Sequence, residues 1–188
     1  MTFEDIFQKF DWEYFYPNAC KPIPLYMPRP RGKSMSTQCF VEANHVGDKT
    51  NRRSMTVILI FCNRYLIIWH SKRQNVVETL KFGSEFTAMK KSVELIAVLQ
   101  YKLGMFGFPI DGSIEIFCDN EAVYKNASIP KYQIRKKHHS ISYHMIRETV
   151  ASGAYRMVKE DTGANLSEFF TKVLPQPRRE LFLGSFTY

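Results

Sequence analysis

The spacing of apolar residues changes period several times along the chain, and each change marks an element. TQCFVEA, residues 37–43, reads as a first strand. MTVILIFC, residues 55–62, is a near-continuous β-branched and aromatic run, the pattern of a strand covered on both faces. Asn63 and Arg64 form a turn, and YLIIWH, residues 65–70, completes a hairpin. VVETLKF, residues 76–82, reads as a short extended approach to a long helix opening at Gly83 and Ser84. In that helix Phe86, Met89, Val93, Ile96 and Leu103 recur at helical spacing. Ser84 is placed to cap its start, and Gly104 and Gly107 to stop it.

SIEIFCD, residues 113–119, is a fourth strand, followed by a short helical segment from Asn120 that ends before Pro130. HSISYHMIRETVAS, residues 139–152, predicts an amphipathic helix with Ile141, His144 or Met145, and Val150 toward one side, closed by Gly153. AYRMVKE, residues 154–160, is a fifth strand, and ANLSEFFTKVL, residues 164–174, a last short helix stopped by Pro175. The order β-β-β-α-β-α-α-β-α predicts an α/β domain. Its mixed five-stranded sheet has three antiparallel strands and then two parallel ones, with helices on both faces.

Residues 1–36 break this regularity. Prolines concentrate between positions 17 and 30 (PNACKPIPLYMPRP), which excludes helix interiors and sheet ladders there and predicts a connecting segment. The division expected is a connection over 1–36, a domain over 37–175 and a tail over 176–188.

The chain has 188 residues, 45% hydrophobic and 23% charged, enough for one real core and too little for two. Its formal net charge of +8 favours a polyanionic partner. Cys20, Cys39, Cys62 and Cys118 form no C-x-x-C pair and no His follows at zinc-finger spacing, which argues against zinc, and four cysteines in a chain this long argue against a disulfide framework. They read as reduced thiols of an intracellular protein, cytoplasmic or nuclear. No apolar run is long enough to span a membrane, and the acidic, interrupted N-terminus is not a signal peptide.

Four acids stand at informative places. Asp119 ends the fourth strand, where α/β folds gather ligands, although an Asp there is more often simply the N-cap of the next helix. Glu42 lies late in the first strand, where the plain reading is a solvent-facing residue. Glu85 and Glu168 fall in first helical turns, which favour acids whatever their function. Together they say more, because this topology sets the ends of strands one and four side by side. Four carboxylates meeting there with no basic residue between them would call for hard divalent cations, Mg²⁺ or Mn²⁺. Two such ions ~3.5–4 Å apart can support phosphodiester hydrolysis.

Several ordered blocks resemble the ribonuclease H module that ends the Pol polyprotein of copia-type retrotransposons. They are VEANHVGDKTNRRS (41–54), SKRQNVVETLKFGSEFTA (71–88), FCDNEAV (117–123), KKHHSISYHMIRE (136–148) and NLSEFFTKVLP (165–175). The resemblance runs over about residues 37–178, and residues 10–36 resemble the segment that joins polymerase to ribonuclease H. It implies a ribonuclease H-like fold, an RNA–DNA hybrid as substrate, and an upstream reverse transcriptase as partner. It also implies Glu42, Glu85, Asp119 and Glu168 as catalytic acids and metal ligands.

Glu42 and Glu168 stand where the family has Asp. Each adds a methylene that displaces the carboxylate by about 1 Å, a shift able to cost ~100-fold in rate. The alternative is therefore an impaired module that keeps nucleic-acid or polymerase binding. The loop EDTGANL, residues 160–166, carries no His, and His138, His139 and His144 read as packing or phosphate contacts. Lys72, Arg73, Gln74, Asn120, Lys137 and His138 are the substrate contacts expected. With no polymerase motif and a starting Met1, the chain reads as a fragment, a truncated copy or a detached reading frame.

Overall fold

The computed structural model describes residues 14–17, 32–47, 50–131, 140–161, 163–184 and 186. The strands are β1 (Thr37–Asn44), β2 (Met55–Cys62), β3 (Tyr65–Arg73), β4 (Ile114–Cys118) and β5 (Tyr155–Lys159). The helices are α1 (Lys81–Met105), α2 (Glu121–Ser128), α3 (Ser140–Ala151) and α4 (Gln176–Leu183), with a 3-10 helix over Leu166–Phe170. The sheet order is β3-β2-β1-β4-β5. β3, β2 and β1 run antiparallel, while β1, β4 and β5 run parallel.

β2 is buried along almost its whole length because both faces of the sheet are covered. On one face Cys39, Val41, Ile58, Ile60, Ile114 and Ile116 pack with α1, α2 and α3 through Phe86, Met89, Ile96, Val123 and Ile146. On the other, Val57, Leu59 and Phe61 meet Phe40, Leu66, Leu166, Phe170 and Phe186. Cys39, Cys62 and Cys118 are buried free thiols, and Cys20 lies outside the described residues. Among the described residues no helix is long and apolar enough to cross a membrane.

Several boundaries differ from the sequence pattern, each for a local reason. α1 begins at Lys81, not at Gly83 or Ser84, with extended Leu80 before it and no side-chain cap from that residue. The Glu78 carboxylate lies against Gly83 at the helix mouth, in the space a Cβ would occupy. Ser84 is already helical, and its hydroxyl donates back to the Lys81 carbonyl at 2.8 Å. Glu85 is therefore past the first turn, and the helix dipole no longer explains it.

Gly107, at φ 79°, ends α1 as expected. Phe108 N–H bonds Leu103 O and Gly107 N–H bonds Gly104 O, the paired bonds of a Schellman stop. In α3, Ile141 is 81% exposed, and the inward residues are Tyr143, Ile146 and Arg147. An apolar count misses this face because its largest member is charged. The Arg147 guanidinium donates to the carbonyls of Asn126 (3.3 Å), Ile129 (2.8 Å) and Pro130, and so closes the end of α2.

The expected last helix is a 3-10 turn, its Asn165 cap accepting from Ser167 N–H at 3.1 Å. The expected tail contains α4, whose Phe182 is buried, and Phe186 stacks on Phe61 at 6.1 Å.

Candidate functional site

Parallel pairing of β1 with β4 sets Phe40 opposite Phe117, and two further residues along that register bring Glu42 level with Asp119. Asp119 is not the cap of α2. Asn120 is, its Oδ1 accepting from Ala122 N–H at 2.8 Å and Val123 N–H at 3.3 Å. That leaves the Asp119 carboxylate for the edge of the sheet.

The 3-10 helix reaches the same edge through bonds to β1. Asn165 Nδ2 donates to Val41 O (3.1 Å), Asn44 Nδ2 to Thr171 O (3.0 Å), and Thr171 Oγ1 to Glu42 Oε2 (2.7 Å). Those ties carry Glu168 to Glu42. α1 brings Glu85 from the other side, with Lys81 one turn before it. All four acids are buried.

Basic groups stand among them, contrary to the expectation of an uncountered cluster. Lys81 Nζ is 3.1 Å from Glu85 Oε1 and 3.9 Å from Asp119 Oδ2. Lys172 Nζ is 2.5 Å from Glu168 Oε1 and 3.2 Å from Glu42 Oε1. Arg178 Nη2, from α4, is 2.5 Å from Glu168 Oε2. Two lysines thus bridge the four acids in pairs, and the pairs meet through repulsion between Glu42 and Asp119.

Burial dominates the electrostatics. It pushes Glu85 up to about 7, with Lys81 opposing and Asp119 adding to the rise. Burial also raises Glu42, against the Thr171 hydrogen bond and Lys172. Burial pulls the Lys172 ammonium down, but Glu168 and Glu42 outweigh it and hold this group above the ordinary lysine range.

As they stand among the described residues, no three His, Cys, Asp or Glu side chains are arranged to hold a metal ion. The donor chemistry divides the edge. Glu85 is touched by Lys81 at 3.1 Å and by the Asn120 side chain, but neither of its two buried oxygens has an aligned hydrogen bond. Asp119 lies beside them, so this pair fits a hard divalent cation once the half-exposed Lys81 side chain moves aside. The oxygens of Glu42 and Glu168 are engaged by Thr171, Lys172 and Arg178 and do not fit a second ion.

The expected substrate contacts separate. Lys72 and Arg73 are exposed at the end of β3, where they line a cavity of about 580 Å³ with Gly47, Arg53, Met55, Ser71 and Asn75. Gln74 is only 6% exposed and faces inward. Its amide donates to Thr56 Oγ1 (2.9 Å) and Ser84 O (2.7 Å), tying β2 to α1. Asn120 has its side-chain oxygen in the α2 cap. Lys137 and His138 lie outside the described residues. His144 packs on Tyr143 and hydrogen-bonds the Tyr16 hydroxyl at 2.9 Å.

No family model matches the chain. It is 28% identical over 142 residues to the retrovirus-related Pol polyprotein from transposon TNT 1-94 of Nicotiana tabacum, covering 76% of this chain and 11% of that protein. It is 28% identical over 144 residues to the corresponding polyprotein from transposon RE1 of Arabidopsis thaliana, covering 77% and 10%. In structure it is similar to LC11-RNase H1, isolated from compost by a metagenomic approach. The TM-score is 0.52 at 13% identity, over 69% of this chain and 87% of that one. The same enzyme in complex with an RNA/DNA hybrid also gives a TM-score of 0.52 at 13% identity, over 69% and 88%.

Its homologues are retrovirus-related Pol polyproteins, and its fold is that of ribonuclease H. The chain spans only about a tenth of the length of the Pol polyproteins it matches. In this ribonuclease H-like frame the acidic edge is assembled from β1, α1, β4 and the 3-10 helix. The Lys81–Glu85 and Glu168–Lys172 pairs were visible in the sequence as i,i+4 spacings. Arg178 carried no such signal, because it reaches Glu168 from a segment expected to be a tail.

Proposed function

We propose that this chain is the ribonuclease H-like part of a Pol polyprotein and hydrolyses the RNA strand of RNA–DNA hybrids with a divalent cation. The observation that carries this reading is the gathering of Glu42, Glu85, Asp119 and Glu168 at one edge of a ribonuclease H sheet. Glu85 and Asp119 would hold Mg²⁺ or Mn²⁺. When bound, the ion supplies positive charge against the charge developing on the scissile phosphate.

The other groups position the substrate. Lys72, Arg73 and Arg53, around the β3 cavity, meet backbone phosphates, which supply most of the salt-dependent affinity without reading sequence. Contacts to 2′-hydroxyls would select the RNA strand. A reverse transcriptase upstream in the polyprotein is the partner that would deliver the hybrid.

A second reading, an impaired module that still binds hybrid, is favoured by the engagement of both Glu168 oxygens. One experiment separates the two. Hybrid labelled on either strand is incubated with the chain and Mn²⁺, Mg²⁺ or chelator, alongside a Glu42→Asp, Glu168→Asp double variant. Cleavage of the RNA strand alone by the unaltered chain supports hydrolysis. Cleavage only by the double variant supports impairment, and cleavage by neither rejects the enzymatic reading.

A further inference from the structure

We propose that Lys172 and Arg178 are positioning residues that hold Glu42 and Glu168 in a closed ion-pair network, and so set how readily the acidic edge takes up a divalent cation. The inference rests on the proposed hydrolase reading only in placing a cation at this edge.

The network is built rather than incidental. Lys172 follows Glu168 by four residues, and its N–H bonds the Glu168 carbonyl at 3.0 Å, which fixes the ammonium over the carboxylate. The same ammonium reaches Glu42, whose other oxygen is taken by Thr171. Arg178 closes the far side. Its guanidinium donates to Glu168 Oε2 and to Gly163 O at 2.7 Å, and lies 5.6 Å over the Phe182 ring of its own helix. Both oxygens of Glu168, a residue 2% exposed, are therefore held by cations of the chain itself.

Elementary electrostatics then orders the two halves of the edge. A carboxylate saturated by two cations attracts a third positive charge weakly, because binding must first break short charge-assisted hydrogen bonds. Among the described residues the cation paired with Glu85 and Asp119 is Lys81, whose side chain is 54% exposed and able to swing into solvent. A first cation enters at Glu85 and Asp119. Lys172 and Arg178 oppose the recruitment of Glu42 and Glu168 around it.

The test is Mn²⁺ binding to the full chain without nucleic acid, read by the electron paramagnetic resonance signal of free Mn²⁺. Lys172→Gln, Arg178→Gln and the double variant are compared with the unaltered chain. The expected result is at least tenfold tighter binding in the double variant and an intermediate gain in each single one. Adding Asp119→Asn should abolish the gain, and Arg178→Lys should retain the original affinity. Circular dichroism checks that each variant folds. If Arg178→Gln does not, Lys172→Gln alone must still tighten binding.

Unchanged or weaker binding in every folded variant overturns the proposal, whatever the hybrid assay shows. Tighter binding without any hybrid cleavage leaves the network standing and rejects the hydrolase reading instead.

Discussion

Glu85 shows most directly how one residue can be costly to the fold and useful to the site. Its carboxyl is buried and pushed up to about 7 from an ordinary 4.5, because desolvation outweighs the help from Lys81. Below pH 4.5 the group is neutral in both folded and unfolded chains, and its folded-state stability is fully present. Between there and about pH 7 the unfolded chain ionises first, so stability falls as pH rises. Glu85→Gln should therefore stabilise the metal-free chain at pH 8 by up to about 3 kcal/mol, and make no difference at pH 4. Urea denaturation at the two pH values measures this, and a stabilisation equal at both would reject the burial account.

The site was partly legible at this scale. Asp119 at a strand end was readable. Lys81 and Lys172 were passed over although they stand at i,i+4 spacing from Glu85 and Glu168, and the capping role of Asn120 was hidden because Asp and Asn are equally good caps. Gln74 looked like a surface contact because it sits among Lys72, Arg73 and Asn75, but its amide is turned inward to Thr56 and Ser84.

Among the elements, the 3-10 helix is held to β1 largely by polar bonds from side chains. Asn165 is fully buried, with its amide on Val41 O and its oxygen accepting from the Ser167 N–H and hydroxyl. Asn165→Ala should cost about 1–3 kcal/mol, visible as a lowered Tm. It should also loosen Glu168, since the turn that carries it loses its anchor. Arg147→Met should cost on the order of 3 kcal/mol by leaving carbonyls at the end of α2 without a donor. A Tm equal to that of the unaltered chain would contradict the capping role of Arg147.

Strand positions were well marked because β2 and its neighbours carry long β-branched runs. Helix ends were less so. Glu78 at the mouth of α1 and Arg147 in the buried face of α3 are charged groups doing structural work that hydrophobic spacing does not register. α4 escaped notice because Pro175 read only as a stop, while it is the N-cap of that helix and Pro177 lies in its first turn, where a missing N–H costs nothing.

Over the whole molecule, the order β3-β2-β1-β4-β5 converts distant segments into one acidic edge beside a basic cavity. A net charge of +8 then favours a polyanion. Lys72→Gln should weaken hybrid binding in all sequences alike and reduce the salt slope by about one. Fluorescence anisotropy over a salt series checks this, and an unchanged slope would remove Lys72 from the interface.

The central claim is that acids far apart in the chain act as one hydrolytic edge. Its most direct measurement is cleavage of a labelled RNA–DNA hybrid with Mn²⁺ by the unaltered chain and by Asp119→Asn at matched folding. The account predicts metal-dependent cutting of the RNA strand by the first and at least a hundredfold loss in the second. Equal cutting by both would contradict it.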